Sequence, residues 1–233
     1  MKFNLLPLTL VGILCVGPMA PSVLAVPTVF FGRDGSTALM TNSQAQFNQF
    51  TAALNSFGVD NIETAVGVNP TLVFGSTGIT AATQGVLAQL DPGLGIAIDS
   101  QSLLELDAAA PGQVNTIFSF NQYITAFGLF VIQGGDGANN NNPTTFRLRD
   151  TATSSVVDVP VQVGPDWGFN NVFFLGVADP VPFNQVEIIE ALDLNDGMLY
   201  DNIVAGFVPE PSSVTLLTIA GACLLRRAKH FKA

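Results

Sequence analysis

The chain has little of what most catalytic chemistry uses. Its 233 residues include one His and two Cys, and 8 Lys+Arg stand against 18 Asp+Glu. The scarce groups sit at the ends. Cys15 lies near the N-terminus, and Cys223 and His230 near the C-terminus. From Val26 to Val208 there is no His, Cys or Lys, and the only cations are Arg33, Arg147 and Arg149. That stretch cannot build a Ser-His-Asp or Cys-His nucleophile, a Schiff-base lysine or a His/Cys metal site. Its 17 acids repel phosphate backbones, which excludes nucleic acid as a partner. One Trp and two Tyr are few for the aromatic cleft of a polysaccharide hydrolase.

What is present reads in three parts. Residues 1–25 form a signal peptide. Lys2 gives the positive start, Leu5 to Val16 an apolar run of 12 residues, and Val23 and Ala25 the small or β-branched positions before a cut after Ala25. The run is short for the ~20 residues of a spanning helix. Residues 208–233 form a tail with Pro209, Glu210 and Pro211, a second apolar run from Val214 to Leu225, and a basic end opened by Arg226 and Arg227. The two prolines cannot continue a helix. The basic end favours the cytoplasmic side of a membrane. In triplet, short apolar segment and basic end, in that order, the tail resembles the PEP-CTERM sorting signal of Gram-negative bacteria. The resemblance implies signal peptidase and an exosortase as processing partners and transient anchoring in the inner membrane. It also implies cleavage near the triplet and delivery to the cell surface or the exopolysaccharide matrix.

The body, residues 26–207, is rich in Val, Thr, Phe and Ile, with turn residues every 8 to 12 positions. Phe47, Phe50, Leu54 and Phe57 share one helical face, so the spacing predicts one short amphipathic helix. Ser43 or Asn42 can cap its start and Gly58 can end it. Strands are expected at residues 61–66, 71–74, 79–82, 96–99, 115–120, 124–132, 145–149, 156–163, 172–177, 185–191 and 198–206. The expected class is all-β, a two-sheet antiparallel β-sandwich, with hydrophobic helices at both termini. Residues 134–143, G-G-D-G-A-N-N-N-N-P, read as a loop.

Chemical motifs are few. D-L-N-D-G from Asp193 has Gly197 at its fifth position and Val204 at its twelfth, so it is not an EF-hand loop. G-L-G at residues 93–95 is followed by Ile98 where a dinucleotide fingerprint needs Gly, and G-S-T-G at residues 75–78 lacks nucleophile-elbow spacing. Carboxylates are the remaining catalytic resource, and a glycosidase needs only two. Trp167, beside Asp166, Asn170 and Asn171, can stack on a sugar or close one end of the core. Arg147 and Arg149 alternate with Leu148 on one strand face and are expected to pair with acids.

I-E-T-A-V-G (residues 62–67) and L-Y-D-N-I (residues 199–203) resemble the opening and closing segments of jelly-roll carbohydrate-binding modules, with Ile62 where the pattern prefers Phe. The resemblance implies a jelly-roll topology and a structural calcium ion held by Glu63 and Asp201. No other cofactor is expected. The sequence points to a non-enzymatic, exported surface or matrix protein. The alternatives are an extracellular carbohydrate-binding module and a carboxylate-based glycoside hydrolase.

Overall fold

A computed structural model describes residues 26–90, 98, 101–106, 114–132, 144–161, 171–189 and 198–209. The elements run β1 (Thr28–Asp34), α1 (Thr41–Ala52), β2 (Ser56–Asp60), β3 (Gly67–Val68), β4 (Thr71–Val73), β5 (Thr80–Gln84), β6 (Val86–Leu90) and β7 (Gln101–Glu105). They continue with β8 (Val114–Ile132), β9 (Thr144–Asp150), β10 (Ser155–Val161), β11 (Val172–Ile189) and β12 (Leu199–Phe207). The expected terminal helices, the 134–143 loop and most of the 96–99 strand lie outside the described residues.

Two long strands make the architecture. β8 and β11 pair antiparallel along their whole length and bend together at mid-span. Their one half, with β9 and β10 on one side and β5 and β4 on the other, forms sheet I. Their other half, between β1 and β12, forms sheet II; β2 and the β7-β6-β3 meander extend it from β12. The result is an antiparallel, jelly-roll-like β-sandwich. Between the sheets lie Phe118, Phe146, Leu148 and Val186 from sheet I, and Phe127, Leu129, Phe173, Leu175 and Tyr200 from sheet II. Phe127 ties the layers together. Its ring stands 5.0 Å from Phe118, 5.8 Å from Phe120 and 5.9 Å from Phe146. Each such buried ring contributes roughly 1.5–3 kcal/mol by leaving water.

The bend follows from the sequence of β11. Pro180 and Pro182 have no N–H for the ladder, so pairing cannot run straight through them. The register jumps from Ala178↔Ala126 to Phe183↔Ile124, then to Gln185↔Ser119. The four residues from Asp179 to Pro182 therefore face Thr125 alone, and the four from Phe120 to Tyr123 face Asn184 alone. The two bulges compensate, so the sheets stay in register while the corner between them turns.

The two central strands of sheet II are buried on both faces, and residues 126–132 of β8 and 172–178 of β11 are accordingly apolar at every position. Its outer face carries α1. Phe50 packs 5.3 Å from Phe30 and 5.5 Å from Phe174, and Phe47 lies 5.5 Å from both Phe130 and Phe174. Two glycines opposite each other, Gly128 and Gly176, form the floor under Phe50.

Three expectations change here. The helix stops at Ala52 instead of continuing to Gly58, because Ser56–Phe57–Gly58 pairs with β12. Leu54 thus lies beyond the helix, and Phe57 is 41% exposed in β2. The cap is neither Asn42 nor Ser43. Asp34, at the end of β1, accepts N–H bonds from Asn42 (3.0 Å) and Ser43 (2.7 Å) and the Ser43 hydroxyl (2.6 Å). Residues 61–66 form a turn, not a strand. Asp60 accepts the Ile62 N–H at 2.8 Å and helps hold Ile62 at φ 68° with its side chain fully buried.

Burial raises the Asp34 carboxyl, but its three donors outweigh burial and hold it below its ordinary value. Its folded value therefore lies below the unfolded one. Its contribution is complete above the unfolded value and is lost as pH falls through the folded one. Asp34→Ala is expected to cost about 1–2 kcal/mol near pH 7. The gap to the native protein should narrow in acid, read from urea unfolding across pH 2 to 7.

Candidate functional site

The corner that the two bulges create is open to solvent. A groove of about 890 Å3 runs along it, lined by Asn55, Ser56, Tyr123, Thr125, Pro180, Pro182, Phe207, Val208 and Pro209. One bulge supplies Tyr123 and the other supplies the prolines. Thr125 is the residue between them, and its hydroxyl oxygen accepts the Val208 N–H at 2.7 Å, tying the C-terminal end of β12 to the corner. The Tyr123 ring is 42% exposed.

Tyr123 does not swing freely. Its hydroxyl donates to Asp150 Oδ1 at 2.7 Å, and that bond raises the phenol above its usual range. Asp150 in turn takes the Thr153 hydroxyl (2.6 Å) on Oδ2 and the Ala152 N–H (2.9 Å) on Oδ1. The Thr153 hydroxyl, then Tyr123, lower the Asp150 carboxyl, which stays ionised. Asn184, the lone residue opposite the β8 bulge, binds the same turn in both directions. It accepts from the Thr151 N–H at 2.9 Å and donates to the Thr151 hydroxyl at 2.7 Å. The β9–β10 turn and the corner are therefore one hydrogen-bonded unit.

Behind this wall lies a smaller pocket of about 160 Å3. It shares Pro182 with the groove and is lined also by Asp150, Thr153, Ser155 and Asp179. Asp179 is only 2% exposed. Its Oδ1 accepts the Val181 N–H at 2.9 Å, and burial raises its carboxyl above the ordinary value.

A second polar surface covers the outer face of sheet I. Arg147 grips Asp158 with two bonds, 2.7 and 2.9 Å, and reaches Glu187 at 3.8 Å. Arg149 binds Glu187 Oε1 through Nε at 2.9 Å and Nη2 at 2.8 Å. Two arginines and two acids neutralise one another across three strands, as the sequence leads one to expect. The guanidinium groups are spent on these partners, so this face holds the sheet rather than offering charge.

The residues singled out in the sequence do not meet in one place. Pro209 lines the groove. Ala25, Trp167, Glu210, Pro211, Arg226 and Arg227 lie outside the described residues. Glu63 is exposed in the turn after β2, whereas Asp201 is fully buried in β12. Asp201 Oδ2 accepts the Ile98 N–H at 3.0 Å and Oδ1 the Asn202 N–H at 2.7 Å. These bonds hold the β12 bulge, where Asn202 has φ 44°. No group of three or more His, Cys, Asp or Glu side chains able to hold a metal occurs among the described residues. Tyr123 and Asp179 were not singled out. The prolines flanking Val181 in an otherwise strand-like stretch are the signal that marks their corner.

No protein-family model matches the chain, and no curated protein matches it. Solved structures with some likeness include a family 29 carbohydrate-binding module (TM-score 0.36, 11% identity, 67% of this chain and 94% of that one). Another is the C-terminal family 22 carbohydrate-binding module of Clostridium thermocellum Xyn10B (TM-score 0.36, 13% identity, 69% and 98%). The enzymatically active domain of bacteriophage CBA120 tailspike protein 4 is a third (TM-score 0.25, 18% identity, 56% and 19%). At these values the likeness assigns neither family nor ligand.

Proposed function

We propose that this chain is an exported, non-catalytic protein of the cell surface or exopolysaccharide matrix, and that its body holds saccharide chains in the corner groove. The observation that carries the reading is the groove itself. An exposed Tyr ring, fixed by Asp150, stands among proline and Phe surfaces with the hydroxyl and amide groups of Thr125, Ser56 and Asn55 around it. A sugar ring has an apolar face and a polar rim, and this arrangement offers a partner to each. A hydrolytic reading is weaker, because both oxygens of Asp150 are committed to its turn and to Tyr123. A carboxylate so engaged is a poor nucleophile or base.

Export and sorting rest on the leader and on the Pro209-Glu210-Pro211 tail. Intact-mass measurement of the protein from its host is expected to show loss of residues 1–25 and of most residues after Pro211. Full-length protein in the cytoplasm would contradict it. Binding is tested by affinity electrophoresis in gels containing soluble polysaccharides. Native protein is expected to be retarded in at least one gel, and Tyr123→Ala to bind about tenfold more weakly, or ~1.4 kcal/mol. Equal retardation of both proteins would remove the groove as the binding site.

A further inference from the structure

Among the described residues that line the corner groove, none carries a charge. The arginines of the body stand elsewhere. Arg147 and Arg149 are held by Asp158 and Glu187 on the outer face of sheet I, and Arg33 pairs with Phe173 at the end of β1 far from the corner. A charge does stand directly behind the groove wall, and it is negative. Asp150 Oδ1 takes the Tyr123 hydroxyl proton at 2.7 Å. The other groups bonded to Asp150 are the Ala152 and Thr153 N–H groups and the Thr153 hydroxyl, all neutral donors, so its charge is stabilised but not cancelled. Having given its proton to Asp150, the Tyr123 oxygen can only accept from a ligand. Thr125, which already accepts the Val208 N–H, keeps its hydroxyl proton to give. The groove therefore offers neutral donors and acceptors, and its one charged neighbour repels anions.

We propose that the groove takes neutral saccharide chains and turns away those bearing uronate or sulfate groups, and that Asp150 sets this selectivity through Tyr123. The inference rests on the saccharide reading of the groove and narrows it to a substrate class. A sugar hydroxyl that donates to Tyr123 Oη joins a chain of hydrogen bonds running on to Asp150, in which each bond polarises the next. A carboxylate or sulfate in the same place has no proton to give. It would lose water, face an acceptor backed by a negative charge, and find no cation in the lining. The repulsion of two unit charges a few ångströms apart, even in water, amounts to about fivefold in affinity.

The test is titration calorimetry of the purified protein with the neutral polysaccharides of the gel panel (pullulan, hydroxyethylcellulose, galactomannan and levan). Each is run beside the same polymer with part of its primary hydroxyls oxidised to carboxylates. At about 20 mM salt, where the screening length is roughly 20 Å, native protein is expected to bind at least one parent polymer. Its oxidised form should bind about fivefold more weakly. Asp150→Asn keeps an acceptor for the Tyr123 hydroxyl and is expected to bind the oxidised form nearly as well as the parent. Glu63→Gln removes the same charge from an exposed turn and is expected to keep the native gap. In the native protein the gap should narrow at about 1 M salt, where the screening length is about 3 Å. Three results would overturn the inference and leave the groove reading intact: an oxidised polymer bound by native protein as tightly as its parent or more so, a gap that survives both Asp150→Asn and high salt, or equal narrowing in Glu63→Gln. No binding of any polymer, neutral or oxidised, would overturn both.

Discussion

Gly128→Val is expected to destabilise the protein by about 3 kcal/mol, at the upper end of overpacking costs, because the added carbons have nowhere to go. A Cβ at this position would stand 2.8 Å from the Phe174 ring, 3.1 Å from Phe50 and 3.2 Å from the Gly176 Cα. One of those contacts is backbone, and the rings are held by each other and by Phe30, Phe47 and Phe130. The only relief is to lift α1 from sheet II. The same holds for Gly176, whose Cβ would meet Phe174 at 2.9 Å and Phe50 at 3.0 Å. A loss of this size lowers the melting midpoint by roughly 6–12 °C in a domain of this size. Gly35, with nothing within 4 Å of an added Cβ, serves as the control and should tolerate Ala within about 0.5 kcal/mol. A Gly128→Val protein melting with the native one would show that α1 does not pack as described.

Arg149→Met is expected to cost about 3 kcal/mol, by leaving a buried carboxylate short of its partner. Glu187 is 5% exposed, and two of its three contacts to cations come from Arg149. The remaining cation, Arg147, sits 3.8 Å away and already holds Asp158 with both bonds of its fork. Breaking one side of a buried pair costs roughly 3–5 kcal/mol, and the low end applies because the Arg149 side chain is 31% exposed. Adding Glu187→Gln to Arg149→Met should recover a large part of the loss. The double-mutant cycle measures it by urea unfolding, and additive single losses would mean the pair is not coupled.

How far the sequence shows this fold depends on the element. The run from Ile124 to Ile132 reads as a buried strand, and it is one, enclosed between the core and α1. Its union with residues 115–120 into a single strand was not legible. Asn121, Gln122 and Tyr123 read as a break in pattern, whereas in space they are a bulge that keeps pairing on both sides. The helical period through Phe47, Phe50, Leu54 and Phe57 ran past the true end, because pairing of β2 with β12 overrides local periodicity. Residues 61–66 have strand composition, but the Asp60 carboxylate captures the Ile62 N–H and turns the chain. Arg147 and Arg149 were legible, since strand alternation puts them on one face and the scarcity of cations leaves acids as their partners. Asp179 was not, because one acid among 17 is distinguished only by the burial that the Pro180–Pro182 bulge imposes.

The proposed saccharide binding in the corner groove is tested most directly by NMR mapping. Titration of the labelled protein with an oligosaccharide retained in the gel assay is expected to shift backbone signals of Ser56, Tyr123, Thr125 and Phe207 together. The outer face of sheet I around Arg147 and Asp158 should stay unmoved. Shifts clustered on that face, with the groove silent, would contradict it.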